Sequence, residues 1–166
     1  YRSLNIDKFG VLWGLNKDVV YKINEDFHIV KSYRLKSSDL SPLIGLCLFP
    51  DSKGCVWIGT VKDGLFRYNR ATDHFYKENL VSMFKINEIE NIGSINEDKY
   101  DRLWIGHNSG LSVYDYNNSF FKNYMFENSN NITLNTTITY IHKNRDLNMV
   151  LGTFFTGFFY VNELDS

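Results

Sequence analysis

The sequence is nearly devoid of good helix fillers: Ala71 is the only alanine among 166 residues, and there is no glutamine. Their scarcity argues against a helical fold. Long apolar runs are missing too, since no stretch approaches the roughly 18 residues a membrane helix needs. No basic segment followed by an apolar one opens the sequence, so no secretory leader is expected among these residues and export is not legible from them. Neither sign of charge dominates, with a formal net charge of −1 and 22% charged residues. That balance gives no basic surface for nucleic acid and no acidic solvating tail. Only two cysteines occur, Cys47 and Cys55. If Asp51 to Gly54 form a four-residue hairpin loop, Pro50 faces Cys55, Cys47 faces Ile58, and the two thiols point to opposite sheet faces. A disulfide between them is then unfavourable, and buried free thiols are expected. No cofactor or metal site is expected: a Gly-x-Ser-x-Gly elbow and a phosphate-cradling loop are lacking. His28, His74, His107 and His142 are scattered without zinc spacing.

What remains is rich in Ile, Val, Tyr, Phe, Thr and Asn, with 43% apolar and 16% aromatic residues. Such residues suit pleated surfaces and tight turns, so the fold class is all-β. One motif recurs four times. It reads Asp7-Lys8-Phe9-Gly10-Val11-Leu12-Trp13, then Asp51-Ser52-Lys53-Gly54-Cys55-Val56-Trp57-Ile58-Gly59-Thr60. The third copy is Asp98-Lys99-Tyr100-Asp101-Arg102-Leu103-Trp104-Ile105-Gly106-His107. The fourth, degenerate copy is Asn144-Arg145-Asp146-Leu147-Asn148-Met149-Val150-Leu151-Gly152-Thr153. The anchors 13, 57, 104 and 150 lie 44, 47 and 46 residues apart. A period of this length with several short strands per unit is the mark of β-propeller blades. Four blades of four antiparallel strands are expected, over about 1–41, 42–88, 89–135 and 136–166, the last incomplete at its outermost strand. Trp13, Trp57 and Trp104 are expected to fill space between blades, and each Asp to close a turn. Gly59, Gly106 and Gly152 are placed where backbones crowd, and Gly64, Gly110 and Gly157 where a strand begins after a loop. The first copy has one residue fewer between Trp13 and its glycine, which predicts an irregular second strand.

The run from Asp51 through Gly54, Val56-Trp57-Ile58-Gly59-Thr60 and Gly64-Leu65 to Arg67-Tyr68-Asn69 closely resembles the two-component regulator propeller repeat. The match is strong in the second and third units, fair in the fourth and weaker in the first. The resemblance implies a seven-bladed ring in the periplasmic sensor portion of a hybrid histidine kinase. It also implies oligosaccharide or related ligands, dimerisation, and signalling through a membrane segment outside these residues. Pairing with further blades, or a homodimer, is the partner expectation.

Candidate ligand contacts are positions the repeat does not need. The loops between second and third strands line one rim, and they offer Lys17, Lys62, Asp63, His107, Asn108, Phe154 and Phe155. His107 stands where Thr60 and Thr153 stand in other copies, and near Lys62 and Asn108 its imidazole is suited to hydrogen-bond a sulfate, a carboxylate or a sugar hydroxyl; the plain alternative is a solvated rim residue. Phe154 and Phe155 are suited to stacking on a sugar ring; the plain alternative is packing on a neighbouring blade. The leading function is a non-catalytic sensor. Two others remain open: a propeller lyase similar to streptogramin lyases, for which only His107 is suitably placed, and a scaffold for protein partners.

Overall fold

The computed structural model describes residues 2–37, 42–80, 89–124, 126–127, 133–134 and 136–161. Two compact units divide the chain, Tyr1–Ile92 and Gly93–Ser166. In the first, β1 (Ser3–Ile6), β2 (Leu12–Asn16), β3 (Val19–Ile23) and β4 (Ile29–Arg34) form one antiparallel sheet in chain order. A second follows from β5 (Gly45–Pro50), β6 (Val56–Thr60), β7 (Leu65–Asn69) and β8 (His74–Lys77). The second unit holds a sheet of β9 (Ser94–Glu97), β10 (Leu103–His107), β11 (Gly110–Asp115) and β12 (Phe120–Tyr124). A two-stranded ribbon, β13 (Phe126–Glu127) with β14 (Thr133–Leu134), comes next. The last sheet, from β15 (Ile138–Lys143), β16 (Met149–Thr153) and β17 (Phe158–Val161), has three strands among the described residues.

The repeated Asp does more than turn the chain. In the first hairpin Asp7 Oδ1 accepts the amides of Phe9 (2.8 Å) and Val11 (3.1 Å), while Oδ2 accepts the Trp13 indole N–H at 2.8 Å. Asp51 repeats this with the Cys55 amide and Trp57 indole, both 2.8 Å. Asp98 does so with Tyr100, Arg102 and, at 2.9 Å, Trp104. All three carboxylates are buried. One side chain therefore closes the turn and anchors the ring that fills the core six residues on. The fourth copy is consistent with this. Val150 has no indole to donate, and the Asp is an Asn whose Oδ1 accepts the Asn148 amide at 2.9 Å. Asn144 is only half-buried, unlike the three carboxylates. Every one of these loops places its fourth residue in the left-handed region: Gly10 (φ 78°), Gly54 (87°), Asp101 (61°) and Leu147 (65°).

Two local expectations need correcting. The loop between β5 and β6 has three residues, because Asp51 N–H bonds Cys55 O at 2.9 Å, as a type I turn followed by a left-handed residue does. A bulge between Gly45 and Cys47 then sets Cys47 opposite Gly59 and Pro50 opposite Val56. Cys47 and Cys55 thus share parity and lie roughly 13 Å apart along β6 at strand rise. Both are free thiols. Separation, rather than opposed facing, keeps them apart. Secondly, β2 is regular, with Trp13 opposite Lys22 and Gly14 opposite Tyr21. Nothing is deleted there; the glycine comes one position early, so Leu15 takes the place that Gly59 and Gly106 hold elsewhere.

That place is crowded. A Cβ on Gly59 would meet Ile92 O and Cγ2 at 2.5 Å, and one on Gly106 would meet Ile138 Cγ2 at 2.7 Å. Ile92 and Ile138 each stand six residues before the next Asp or Asn, and the residue six before Asp51 is Gly45. A Cβ on Gly45 would meet the Lys17 carbonyl oxygen at 2.8 Å and Leu15 Cδ1 at 2.9 Å. Small and large have changed sides at this junction, so the volume is conserved.

Each unit has its own core. In the first, Trp13, Leu15, Val20 and Tyr33 of one sheet meet Leu48, Val56, Ile58, Phe66, Tyr68 and Phe75 of the other. Trp13 packs edge-on to Tyr68, with ring centroids 4.9 Å apart, and to Phe75 at 6.0 Å. In the second, Trp104, Leu111 and Val113 meet Ile138, Ile141, Met149 and Leu151. Trp13 and Trp104 thus fill space between consecutive sheets.

Candidate functional site

On the first unit, the rim is built from loops that follow second strands. Lys17 sits in a two-residue turn at φ 55°, and its carbonyl accepts the Gly45 amide at 2.9 Å. Asp18 next to it pairs with Arg34 at 2.7 Å. The longer loop after β6 is closed by Thr60, whose amide (3.1 Å) and hydroxyl (2.8 Å) both donate to Gly64 O. Its outer residues, Val61, Lys62 and Asp63, join Pro42 and Ile44 around a cleft of about 270 Å³. The Val61 amide bonds Ile44 O at 2.9 Å, which holds the two walls together. Asp63 is buried and accepts the Ser37 hydroxyl at 2.7 Å, while Lys62 is exposed. The cleft therefore combines an aliphatic wall with one cation and one carboxylate. A shallower hollow of about 370 Å³ lies beside the Asp7 and Asn24 turns, where Phe9 and Val30 meet Lys22, Glu25 and Asp26.

On the second unit His107 is an internal residue, 5% exposed. Its Nε2 lies 2.8 Å from Ser112 Oγ, and its Nδ1 accepts the Ser109 amide at 3.2 Å. Ser112 in turn donates to Asn123 Oδ1. Burial lowers the imidazole pKa to about 4. The ring is neutral at pH 7 with both nitrogens engaged, so it offers no charge-assisted bond to a ligand. Its departure from Thr follows loop length. Thr60 and Thr153 reach a glycine four residues on, each through its hydroxyl, whereas Gly110 follows His107 by three. The neighbouring Asn108 is exposed, and its carbonyl accepts Thr137 Oγ1 at 3.2 Å. Phe154 and Phe155 are both exposed, edge to face at 4.6 Å. They do not pack on a neighbouring sheet of this unit.

Repeat grammar and rim now stand together: Asx turns locked to tryptophans, a crowded glycine, and a cleft at the mouth of the second copy. Residues 40–62 match the family model described as two component regulator propeller. That stretch carries the propeller repeat. None of the curated proteins matches the sequence. Among solved structures, the extracellular domain of BT4673 from B. thetaiotaomicron, described in one structure as a one component system and in another as a hybrid two component system, aligns at TM-score 0.77 and 22% identity and at 0.76 and 23% identity. The alignment covers 99% of this chain and 21% of that one. The extracellular domain of BT3049 from the same organism, described as a hybrid two component system, aligns at TM-score 0.69 and 22% identity, over 97% of this chain and 21% of that one. A catalytically inactive virginiamycin B lyase from Staphylococcus aureus aligns at TM-score 0.69 and 15% identity, over 90% of this chain and 47% of that one. The fold is thus a β-propeller segment, and the chain spans about a fifth of the first two structures' length.

Within the propeller repeat, the rim residues named from sequence separate into three groups. Lys62 and Asp63 share the cleft; Lys17 lies on the adjoining loop without lining it. His107, Asn108, Phe154 and Phe155 belong to the other unit. Pro42 and Ile44 were not anticipated. The available signal was an apolar Pro42-Leu43-Ile44 run just ahead of a strand, of which Leu43 is buried in the core and Ile44 is exposed. Among the described residues, no group of three or more His, Cys, Asp or Glu side chains is placed to hold a metal ion, and no helix is long and apolar enough to cross a membrane.

Proposed function

We propose that this chain is a non-catalytic, ligand-sensing propeller segment of an extracytoplasmic two-component regulator, periplasmic in location. The Pro42–Asp63 cleft is its ligand contact. The single observation that carries the reading is the two component regulator propeller match over residues 40–62, because four of the five cleft residues fall inside it. Extracellular domains of similar fold in hybrid two component systems support it. The ligand class is an oligosaccharide: Ile44 and Val61 suit the apolar face of a sugar and Lys62 donates to its oxygens, while Asp63, buried and bonded to Ser37, holds the loop in place. The exposed Phe154–Phe155 pair gives the other unit an aromatic contact of the same kind. A kinase would lie in another part of the protein. The lyase alternative loses the one histidine it relied on, since both His107 nitrogens are committed internally.

Titration calorimetry against neutral and acidic glycan fragments tests the proposal. Saturable binding without turnover is expected, weakened about tenfold by Lys62→Ala through loss of a charged hydrogen bond. Product formation on incubation would instead establish a lyase. Absence of binding to every fragment, or affinity indifferent to Lys62, would overturn the cleft assignment.

A further inference from the structure

Each unit carries, at the end of its sheets away from the loops that follow second strands, an exposed aromatic ring attended by two cations. In the first unit the ring is Phe9, third residue of its turn. The Lys8 ammonium lies 5.2 Å from the ring centroid and the Arg70 guanidinium 4.1 Å. In the second unit the ring is Tyr100, with Lys99 at 5.0 Å and Arg102 at 5.1 Å. Both residues are 58% exposed. The two arginines arrive by different routes. Arg102 follows Asp98 by four residues, whereas Arg70 comes from the β7–β8 turn, 63 residues beyond Asp7; each donates to Oδ2 of the turn aspartate. Repetition alone would supply the arginine at one spacing. Supplied from two, the guanidinium over the ring is a feature of the site rather than of the repeat. Neutralising the buried carboxylate accounts for the arginine, but not for a ring left in water beside it.

That exposure is the same inside the chain as near its start. Tyr100 belongs to the third of four repeats and is as open as Phe9. Phe9 itself leans on the following turn: a Cβ on Gly54 would meet its Cε2 at 2.5 Å and Lys8 Cε at 2.8 Å. A sheet packed ahead of the first in the same manner would rest on Gly10, which has open space around it, and would leave the Phe9 ring as it is. Beside Gly54, Lys53 adds an exposed cation to the same end.

We propose that this end of the sheets docks an acidic polysaccharide, a chain of sugars bearing carboxylate or sulfate groups. Phe9 and Tyr100 meet the apolar faces of sugar rings, and Lys8 and Lys99 bond the acid groups. The stacked guanidinium fixes each ring before the ligand arrives, which lowers the ordering cost of binding. Exposed Glu25 and Asp26 in the first unit and Asp146 in the second stand at the same end. They oppose a continuous anionic surface such as a bilayer, whereas a glycan with spaced acid groups passes between them. None of the ring or lysine positions lines the Pro42–Asp63 cleft, so either assignment stands if the other fails.

Affinity electrophoresis of the chain through gels containing polygalacturonate, a carboxylated polysaccharide, or neutral dextran reads the contact. Retardation is expected with polygalacturonate and not with dextran. Polyglutamate, highly charged but without sugar rings, should retard the chain less. Phe9→Ala combined with Tyr100→Ala, and separately Lys8→Gln combined with Lys99→Gln, should each weaken binding about tenfold. Lys36→Gln removes an exposed cation beyond the other end of β4 and should leave binding unchanged. The two exposed lysines keep the test decisive should the ring variant fail to fold. No retardation by polygalacturonate, equal retardation by polyglutamate, affinity indifferent to the ring or lysine pairs, or preferential cosedimentation with phosphatidylglycerol vesicles would overturn the proposal.

Discussion

A carboxylate buried beside an indole carries most of what is distinctive at the residue scale. Burial alone would push the Asp7 carboxyl up; the Trp13 indole, the Arg70 guanidinium and the Phe9 and Val11 amides outweigh it and hold it below the ordinary carboxylate value. Trp13→Phe keeps a ring in the core while removing the donor. We expect it to cost about 1–3 kcal/mol, the usual penalty for stripping a partner from a buried polar group. Urea unfolding followed by circular dichroism measures it, and a cost no larger than a surface substitution would mean that the bond is incidental. The Asp and Trp spacing was visible in the sequence at once. Their bond was not, because a spacing of six residues fits a turn plus a strand without saying which way the carboxylate points. His107 shows the reverse: its departure from threonine looked functional, and a loop one residue shorter explains it.

At the scale of elements, strands and hairpins were legible because alternating apolar residues between Asx and glycine turns leave little other choice. Register was less so. The bulge beside Cys47 and the three-residue loop after Asp51 both moved pairings, and neither leaves a unique trace in composition. The exchange of Leu15 with Gly45 was hidden for a related reason: the two residues are thirty positions apart, and only packing makes them one feature. Leu15→Gly should leave a cavity and destabilise by roughly 2–5 kcal/mol, and Gly45→Ile alone should clash with the Leu15 side chain. The double variant removes the side-chain clash but leaves the Lys17 carbonyl oxygen 2.8 Å from the new Cβ, so its cost should fall below the sum of the two single changes without vanishing. Additive losses in thermal or denaturant melts would show that the two sites are not coupled.

For the whole molecule, stability should depend on mildly acidic pH through His107. An unfolded imidazole takes up its proton near pH 6.5, whereas burial holds the folded one off until about 4. The unfolded chain therefore binds more protons in that window, and stability falls as pH drops from about 6.5 toward 4. The full effect is on the order of 3 kcal/mol. Comparing urea unfolding at either end of the window, for the chain and for His107→Gln, isolates it. Equal pH dependence in both would remove His107 as the cause. Below that window, loss of the lowered carboxylates Asp7 and Asp115 adds to acid unfolding.

The repeat length, the all-β class and the turn chemistry were determined by sequence alone, since each depends on residues a few positions apart and on backbone preferences that act locally. Tertiary structure decided the rest. It turned a conspicuous histidine inward, brought Pro42 and Ile44 beside the Val61–Asp63 loop to form a cleft, and set Leu15 against Gly45. Such outcomes depend on volume and desolvation summed over neighbours distant in the chain, which no local pattern records.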